Sequence, residues 1–217
     1  MTIRFVLWDN DGVLVDTEGA YFEATRRALA DCGVVLDHAH YVRLRACGES
    51  AWALAEAANV LPGRIAQQRA ARDAYYQDYL RCNAVEIDGV RSVLAALALR
   101  YRMAVVTTSK RRDFELIHRD GHLVRHMQFV LAREDFAREK PAPDGYLAAL
   151  ERLRAAPDET VVVEDSEQGL GAARAAGLRC VIVHNAFFGT VHDFTGAARV
   201  LRSVEELPDA LARLRDE

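Results

Sequence analysis

The amino-acid sequence predicts an α/β fold, in which a doubly wound parallel sheet forms the core and a small all-α domain is inserted into it. Over most of the 217 residues, short runs of β-branched and apolar residues alternate with helical patterns. The runs are continuously apolar, which is typical of parallel strands buried on both faces. Residues 17–83 break this alternation, because their pattern is helical without a convincing strand. We therefore expect residues 1–16 and 84–217 to form the core domain and residues 17–83 to form a helical cap domain.

The apolar runs predict five strands in the core domain, at Ile3–Trp8, Met103–Val106, Gln128–Leu131, Thr160–Val163 and Cys180–Val183. Helical patterns lie between them at Val90–Leu99, Tyr146–Leu153 and Gly169–Ala176. Gly177 follows the last of these patterns and is suited to ending a helix, because glycine adopts the left-handed conformation at low cost.

The inserted domain is predicted from helical periodicity. A first helix would present one packed face, formed by Tyr21, Phe22, Thr25, Ala28 and Leu29, and Gly33 would stop it. Ser50 can cap a further helix over Ala51–Val60, which Pro62-Gly63 would end. The insertion follows the carboxyl end of the first strand, where open α/β sheets bind ligands. We therefore expect it to act as a mobile cap over an active site.

The composition excludes several classes of protein. A net charge of -4 gives no general attraction to nucleic acid or to an anionic membrane. No run approaches the ~20 apolar residues of a transmembrane helix, and the N-terminal apolar run is too short for a signal peptide. The four cysteines have neither C-x-x-C spacing nor a disulfide-framework pattern. We expect a cytoplasmic monomer with reduced thiols and with neither nucleic-acid nor membrane partners.

The strongest local motif is Asp9-Asn10-Asp11-Gly12, directly after the first predicted strand. A carboxylate at a strand end can attack phosphorus and form an aspartyl-phosphate. An acid two residues later could protonate the leaving alcohol and then deprotonate the attacking water. An ordinary Asx turn explains the same spacing equally well. A calcium loop is excluded, because an EF-hand needs glycine and further acids at other offsets and a preceding helix.

A second motif, Thr107-Thr108-Ser109-Lys110, follows the strand Met103–Val106 and precedes a helical stretch. Its three hydroxyls, with the N–H groups at the start of a helix, would suit a phosphate group. Capping of that helix by threonine or serine is the alternative, and for one such motif alone it is the commoner explanation.

The third motif contains one of only two lysines, Lys110 and Lys140, among the 28 basic residues. The excess of arginine is consistent with a coding bias, so a retained lysine indicates a position where the two residues are not interchangeable. Lys140 precedes Pro141-Ala142-Pro143, which restricts the backbone before the next helix. Its ammonium could screen charge between a nucleophile and a phosphate. A solvated surface lysine is the alternative.

The fourth motif, Glu164-Asp165-Ser166, ends the predicted strand Thr160–Val163. Adjacent acids at the end of a buried strand repel each other unless a cation joins them. Mg²⁺ suits such a site, because it takes one or two carboxylates together with phosphate and water. Capping of the next helix by Asp165 or Ser166 is an alternative that is compatible with metal binding.

Three histidines, His118, His122 and His126, recur at intervals of four residues. On one continuous helix they could hold a metal, which requires three or four converging ligands. Gly121 interrupts the segment, so packing is favoured over metal binding.

Taken together, the four motifs stand in an order that resembles the haloacid dehalogenase superfamily of phosphotransferases, over nearly the whole chain. Asp9–Glu18, the Lys140–Asp144 stretch and Val163-Glu164-Asp165-Ser166 are similar to its β-phosphoglucomutase and phosphoglycolate-phosphatase-like group. The resemblance implies a Rossmann-like core domain. It also implies that the helical insertion is a type-I cap.

The same resemblance implies a role for each motif. Asp9 would be the nucleophile and Asp11 the general acid and base. Thr107 and Thr108 would bind the transferring phosphoryl group, and Lys140 would bridge Asp9 and the phosphate. Mg²⁺ would be held by Asp9, the Asp11 carbonyl, Glu164 and Asp165.

Two departures distinguish the chain from the mutases that it resembles. Those enzymes carry a histidine in the first cap helix where Tyr21 stands here, and a phosphate-binding arginine where Ala51 stands. Arg43 and Arg45 lie nearby in the sequence and could substitute, although charge on a helix surface explains them equally well. The departures favour a phosphatase.

We therefore predict a Mg²⁺-dependent phosphatase that hydrolyses a small phosphorylated metabolite, a sugar phosphate or a phosphoglycolate-like compound, through an aspartyl-phosphate on Asp9. A mutase of the β-phosphoglucomutase type is the alternative enzyme, and it would depend on a bisphosphate activator. A catalytically silent ligand-binding protein is the alternative from another class. The intact set of Asp9, Asp11, Lys140 and Asp165 disfavours the silent protein.

Overall fold

The computed structural model describes residues 2–189 and 191–216. Within these residues one parallel sheet is formed by β1 (Phe5–Trp8), β2 (Arg102–Val106), β3 (Met127–Leu131), β4 (Thr160–Glu164), β5 (Arg179–Val183) and β6 (Arg199–Leu201). The spatial order is β3-β2-β1-β4-β5-β6, and every neighbouring pair is parallel. The predicted α/β fold with a doubly wound parallel sheet is confirmed.

β1 lies in the middle of the sheet, between β2 and β4. Trp8 is aligned with Val105 of β2 and with Val163 of β4, so the three strands end at nearly the same level. The chain first adds β2 and β3 on one side of β1 and then crosses to β4 on the other. Such a reversal of strand order opens a crevice beyond the carboxyl ends, where α/β proteins bind ligands. Three of the four sequence motifs follow these three strands.

The described chain divides into two compact units. One comprises residues 2–16, Val85–Ala186 and 193–216, and it contains the sheet. Its helices are α5 (Val90–Leu97), α6 (Arg111–Ile117), α7 (Asp144–Leu153), α8 (Glu167–Ala175) and α9 (Leu207–Asp216). The other comprises Thr17–Ala84 and Phe187–His192, with helices α1 (Glu18–Ala30), α2 (His38–Ala46), α3 (Ala53–Ala57) and α4 (Pro62–Cys82). In the part of the chain described, no helix has the length and apolar character needed to cross a membrane.

The sheet is buried on both faces, as its continuously apolar strands predicted. Phe5 and Leu7 lie on one face of β1 and Val6 and Trp8 on the other, and all four are almost completely buried. Phe5 and Leu7 belong to a cluster that includes apolar side chains of α7 and α8. The core of this unit therefore buries β1 on both faces.

The helical unit has a core of its own. Phe22 and Leu29 of α1 pack in a cluster with Trp52. Phe187, which follows β5 in the chain, adds its ring to this cluster at 6.2 Å from the ring of Phe22. The contribution of Phe187 was not predicted, because the sequence around it has no helical or strand periodicity.

Several predicted details are wrong. Pro62 begins α4 instead of ending the preceding helix, because proline is well suited to the first helical turn. The helix expected over Ala51–Val60 is limited to α3, and the Ser50 hydroxyl accepts the main-chain N–H of Trp52 at 3.3 Å before that helix begins. β6 and α9 were not predicted at all. With three residues, β6 is too short to show a recognisable pattern.

Candidate active site

The first motif forms a tight loop after β1. The main-chain carbonyl of Asn10 accepts three N–H groups from residues 13–15, at 3.3, 2.8 and 3.2 Å. Gly12 has a φ of 81°, in the left-handed region that favours glycine. A Cβ at Gly12 would lie 1.8 Å from Oδ2 of Asp165, so only glycine allows the loop to approach the end of β4 this closely.

Lys140 reaches the carboxyl ends of three strands from the segment before α7. Its ammonium donates to Oδ1 of Asp9 at 2.6 Å and to Oε1 of Glu164 at 2.6 Å. It also donates to the Val106 carbonyl at the end of β2, at 3.0 Å. The side chain is 8% exposed. Lys140 is therefore a buried, fully engaged cation, and its interpretation as a solvated surface lysine is wrong.

The Glu164 carboxylate is completely buried and accepts hydrogen bonds at both oxygens. Oε1 accepts from Lys140 and from the Tyr146 hydroxyl at 2.7 Å. Oε2 accepts from the main-chain N–H of Asp165 and from the Ser166 hydroxyl, both at 3.1 Å. A carboxylate has about four lone-pair sites. Glu164 is thus held in one orientation, with its charge directed at Lys140.

Burial and the crowding of charges shift the pKa values of this group. Desolvation, followed by the neighbouring Glu164 carboxylate, raises the pKa of Asp9 above its usual range, and Lys140 opposes that rise. Desolvation opposes the charged form of Lys140, but the Asp9 and Glu164 carboxylates outweigh it and raise the pKa of the ammonium. Burial, together with Glu164, also raises the pKa of Tyr146, so the phenol remains a neutral donor.

Asp9, Glu164 and Asp165 form an acidic cluster, with one oxygen of each within 4.8 Å of the others. Asp165 also accepts a hydrogen bond from the Asn185 side-chain amide at 2.9 Å. Three carboxylates and the one Lys140 ammonium leave a formal excess of two negative charges. The cluster therefore has the oxygen donors and the charge to hold a divalent metal ion.

Asp11 is bound by a different set of groups from Asp9. Its Oδ2 accepts from the Ser109 hydroxyl, from the Thr107 hydroxyl at 3.5 Å and from the Asn10 amide at 3.2 Å. Thr107 is buried, whereas Thr108 is exposed at the same strand end. The hydroxyl motif and the first acid pair therefore meet through Asp11.

Of the seven predicted site residues, four belong to the hydrogen-bonded group around Lys140: Asp9, Lys140, Glu164 and Asp165. Asp11 and Thr107 bond to each other at the neighbouring strand end, and Thr108 lies exposed there. Sequence reasoning did not identify Tyr146 and Asn185 as partners of the site. Asn185 lies two residues beyond the predicted fifth strand, so its position at a strand end was an available signal. Tyr146 carried no such signal, because an aromatic residue on a helix is read as core.

The three histidines do not lie on one helix. α6 ends at Ile117, His118 follows it, and His126 belongs to a short 3-10 helix. Among the described residues, the grouping with metal-ligand geometry is Asp9, Glu164 and Asp165.

In the helical unit, the residues at the two departures from the mutases are placed as follows. The Tyr21 hydroxyl accepts a hydrogen bond from the Arg72 guanidinium. Arg45, one of the two arginines considered as substitutes at Ala51, pairs with Glu18 at 3.1 Å. Tyr21 and Arg45 are therefore each engaged in a polar contact within the helical unit itself.

The chain is similar to known proteins over most of its length. A family model described as haloacid dehalogenase-like hydrolase matches residues 6–183. Protein CbbY of Cereibacter sphaeroides is 32% identical, over 94% of this chain and 94% of its own. Fructose-1-phosphate phosphatase YqaB of Escherichia coli is 30% identical, over 82% of this chain and 95% of its own.

A solved structure is similar along the same length. The crystal structure of a CbbY mutant from Rhodobacter sphaeroides, in complex with xylulose-(1,5)bisphosphate, aligns with a TM-score of 0.81 and 28% identity. The alignment covers 97% of this chain and 99% of that chain.

The close packing of Gly169 against the Glu164 carboxylate can be tested by substitution. A Cβ at Gly169 would lie 1.8 Å from the Glu164 carboxyl carbon, so Gly169→Ala must displace either the carboxylate or α8. We expect the free energy of unfolding in urea to fall by about 2 kcal/mol, because overpacking outweighs the better helix propensity of alanine.

Gly63→Ala is the matched control. Gly63 also lies in a helix, α4, and nothing lies within 4 Å of a Cβ built there. This change should raise the free energy of unfolding by about 0.5 kcal/mol. Equal effects of the two substitutions would contradict the close packing of Gly169 against Glu164.

Proposed function

Because the chain belongs to the haloacid dehalogenase-like hydrolase family, we propose that it is a Mg²⁺-dependent phosphatase. In this proposal it hydrolyses a phosphorylated sugar through an aspartyl-phosphate on Asp9. The observation that carries the proposal is the position of Lys140, whose ammonium lies 2.6 Å from Asp9. Asp11 lies two residues further along the same loop, among the hydroxyls of the second motif.

The proposed reaction has two steps. A carboxylate oxygen of Asp9 attacks phosphorus while the bond to the sugar oxygen breaks, and Asp11 gives its proton to the departing alkoxide. Water then attacks the phosphoryl group on Asp9, Asp11 takes a proton from that water, and Asp9 is regenerated with release of inorganic phosphate. Lys140 and the Thr107 hydroxyl offset the negative charge of the phosphoryl oxygens in both steps.

The charge of the acidic cluster supports a metal requirement. Asp9 and Asp165, with the main-chain carbonyl of Asp11, are proposed as the ligands of Mg²⁺. Glu164 was predicted as a further ligand, but its four hydrogen bonds support a different role, in which it holds Lys140 in place. When bound, the cation would draw negative charge away from the phosphoryl group.

The substrate class is inferred from the relatives. One is named a fructose-1-phosphate phosphatase, and another binds xylulose-(1,5)bisphosphate. Tyr21 replaces the histidine expected in a mutase, and its hydroxyl is engaged by Arg72, which supports hydrolysis over isomerisation. The proposal has three further parts. Residues 17–83 act as a mobile cap, the active form is a single chain, and the protein is located in the cytoplasm.

The Asp9→Asn substitution tests the nucleophile. An amide is too weak a nucleophile to attack phosphorus, so phosphate release from para-nitrophenyl phosphate should fall by about 10⁴-fold or more. Asp88→Asn, the same change at an exposed residue, should turn over normally. Ordinary turnover by Asp9→Asn would refute the aspartyl-phosphate on Asp9.

Lys140→Arg tests whether the compact ammonium is required. A planar guanidinium cannot place one nitrogen 2.6 Å from both Asp9 and Glu164 in the same buried space. We expect kcat to fall by about a hundredfold although the charge is kept. Lys110→Arg, at the exposed second lysine, should change kcat less than about twofold. Similar kcat values for the two variants would count against the bridging role.

Removal of divalent cations tests the metal. EDTA treatment followed by dialysis should abolish phosphate release, and added Mg²⁺ should restore it. Ca²⁺ should restore little activity, because it prefers more ligands at longer distances than Mg²⁺. Full activity in the presence of EDTA would refute the metal requirement while leaving Asp9→Asn as a separate test of the nucleophile.

A further inference from the structure

Asn10, the residue between the two acids of the first motif, is completely buried and uses both ends of its side-chain amide. Its Oδ1 lies 2.7 Å from Nε2 of His118. Its Nδ2 donates to Oδ2 of Asp11 at 3.2 Å. The imidazole of His118 is therefore connected to the Asp11 carboxylate by a single amide.

The direction of these two hydrogen bonds follows from the chemistry of the groups. An ionised carboxylate only accepts hydrogen bonds. Beside an ionised Asp11, the amide therefore presents its NH₂ to Asp11 and its carbonyl oxygen to His118. A carbonyl oxygen only accepts, so His118 must carry a proton on Nε2. The hydrogen bond between His118 and Asn10 therefore requires the tautomer of the imidazole that is protonated at Nε2.

The surroundings of His118 support this state. The ring of His118 packs on Phe114, with 4.3 Å between ring centroids. Burial, opposed by the negative charges of Asp11 and Glu86, lowers the pKa of His118 to about 4. The imidazole is then neutral at neutral pH and carries a single N–H.

We propose that His118 is a positioning residue for Asp11: its Nε2–H fixes the orientation of the Asn10 amide, and the amide fixes the rotation of the Asp11 carboxylate. This inference rests on the proposed function, because it concerns the delivery of a proton by Asp11. Proton transfer requires the carboxyl group to lie within hydrogen-bond reach of the departing oxygen.

The Asp11 carboxylate is held from two directions. Hydroxyl donors, Thr107 and Ser109, come from the loop after β2, and the Asn10 amide comes from its own loop. The hydroxyls can rotate and donate elsewhere, whereas the buried amide has two discrete orientations. Without the His118 N–H, the Asn10 oxygen loses its donor, and the amide keeps only one of the two contacts that hold its orientation.

His118→Phe removes the N–H while keeping an aromatic ring against Phe114. We expect kcat/KM for phenyl phosphate, which has a poor leaving group, to fall by about tenfold. For para-nitrophenyl phosphate, whose leaving group needs little protonation, kcat/KM should change less than about twofold. kcat/KM covers the steps up to release of the alcohol, so it isolates the acid role from the later attack of water.

His118→Gln should recover most of the activity toward phenyl phosphate, because its amide N–H can reach the position of Nε2. His122→Phe, the same change at an exposed histidine of the same segment, should resemble the wild type with both esters. Equal losses on the two esters, or no loss on phenyl phosphate, would overturn the inference.

A second measurement does not depend on whether the variants fold. Nitrogen NMR of the wild-type protein should report His118 as a neutral imidazole protonated at Nε2. Protonation at Nδ1 alone would overturn the inference. Failure of the proposed function is distinguishable, because it would show as a wild-type protein inactive toward both esters or as an active Asp9→Asn variant.

Discussion

Burial of carboxylates at adjacent strand ends costs free energy unless a cation lies among them, and in this chain the Lys140 ammonium meets that requirement. It contacts Asp9 and Glu164, and a strand-end carbonyl as well. Removal of the ammonium would leave two uncompensated carboxylates in the interior. Because Lys140 comes from the segment before α7, this one contact also ties that segment to the ends of β1, β2 and β4.

The close approach of these groups depends on residues that carry no charge. Gly12 and Gly169 leave the space that Asp165 and Glu164 occupy, since a Cβ at either glycine would lie within 2 Å of a carboxyl group. Tyr146 and Ser166 complete the hydrogen bonds of Glu164. Packing and hydrogen bonds within the chain itself thus orient Glu164 toward Lys140.

The two acids of the first motif acquire different properties from different partners. Asp9 is buried beside another carboxylate and an ammonium, whereas Asp11 is bound by hydroxyls and by the Asn10 amide. A nucleophile and a proton carrier need such different surroundings, because one must hold negative charge toward phosphorus and the other must exchange a proton. Two residues of separation along one tight loop are enough to place the acids in both environments.

The sequence by itself determined the sheet class, the helical insertion and most of the charged groups at the strand ends. These features depend on local patterns: continuous apolar runs, helical periodicity, and acids or hydroxyls directly after a strand. Only the tertiary structure decided the orientation of Glu164, the roles of Tyr146, Asn185 and His118 as partners, and the packing of Phe187 in the core of the helical unit. These contacts join residues far apart in the chain. Asn185 lies just beyond a predicted strand, and His118 recurs at a regular interval with two other histidines, but neither pattern indicates the partner of the side chain. Their positions follow from how the strands and helices pack, which no local pattern encodes.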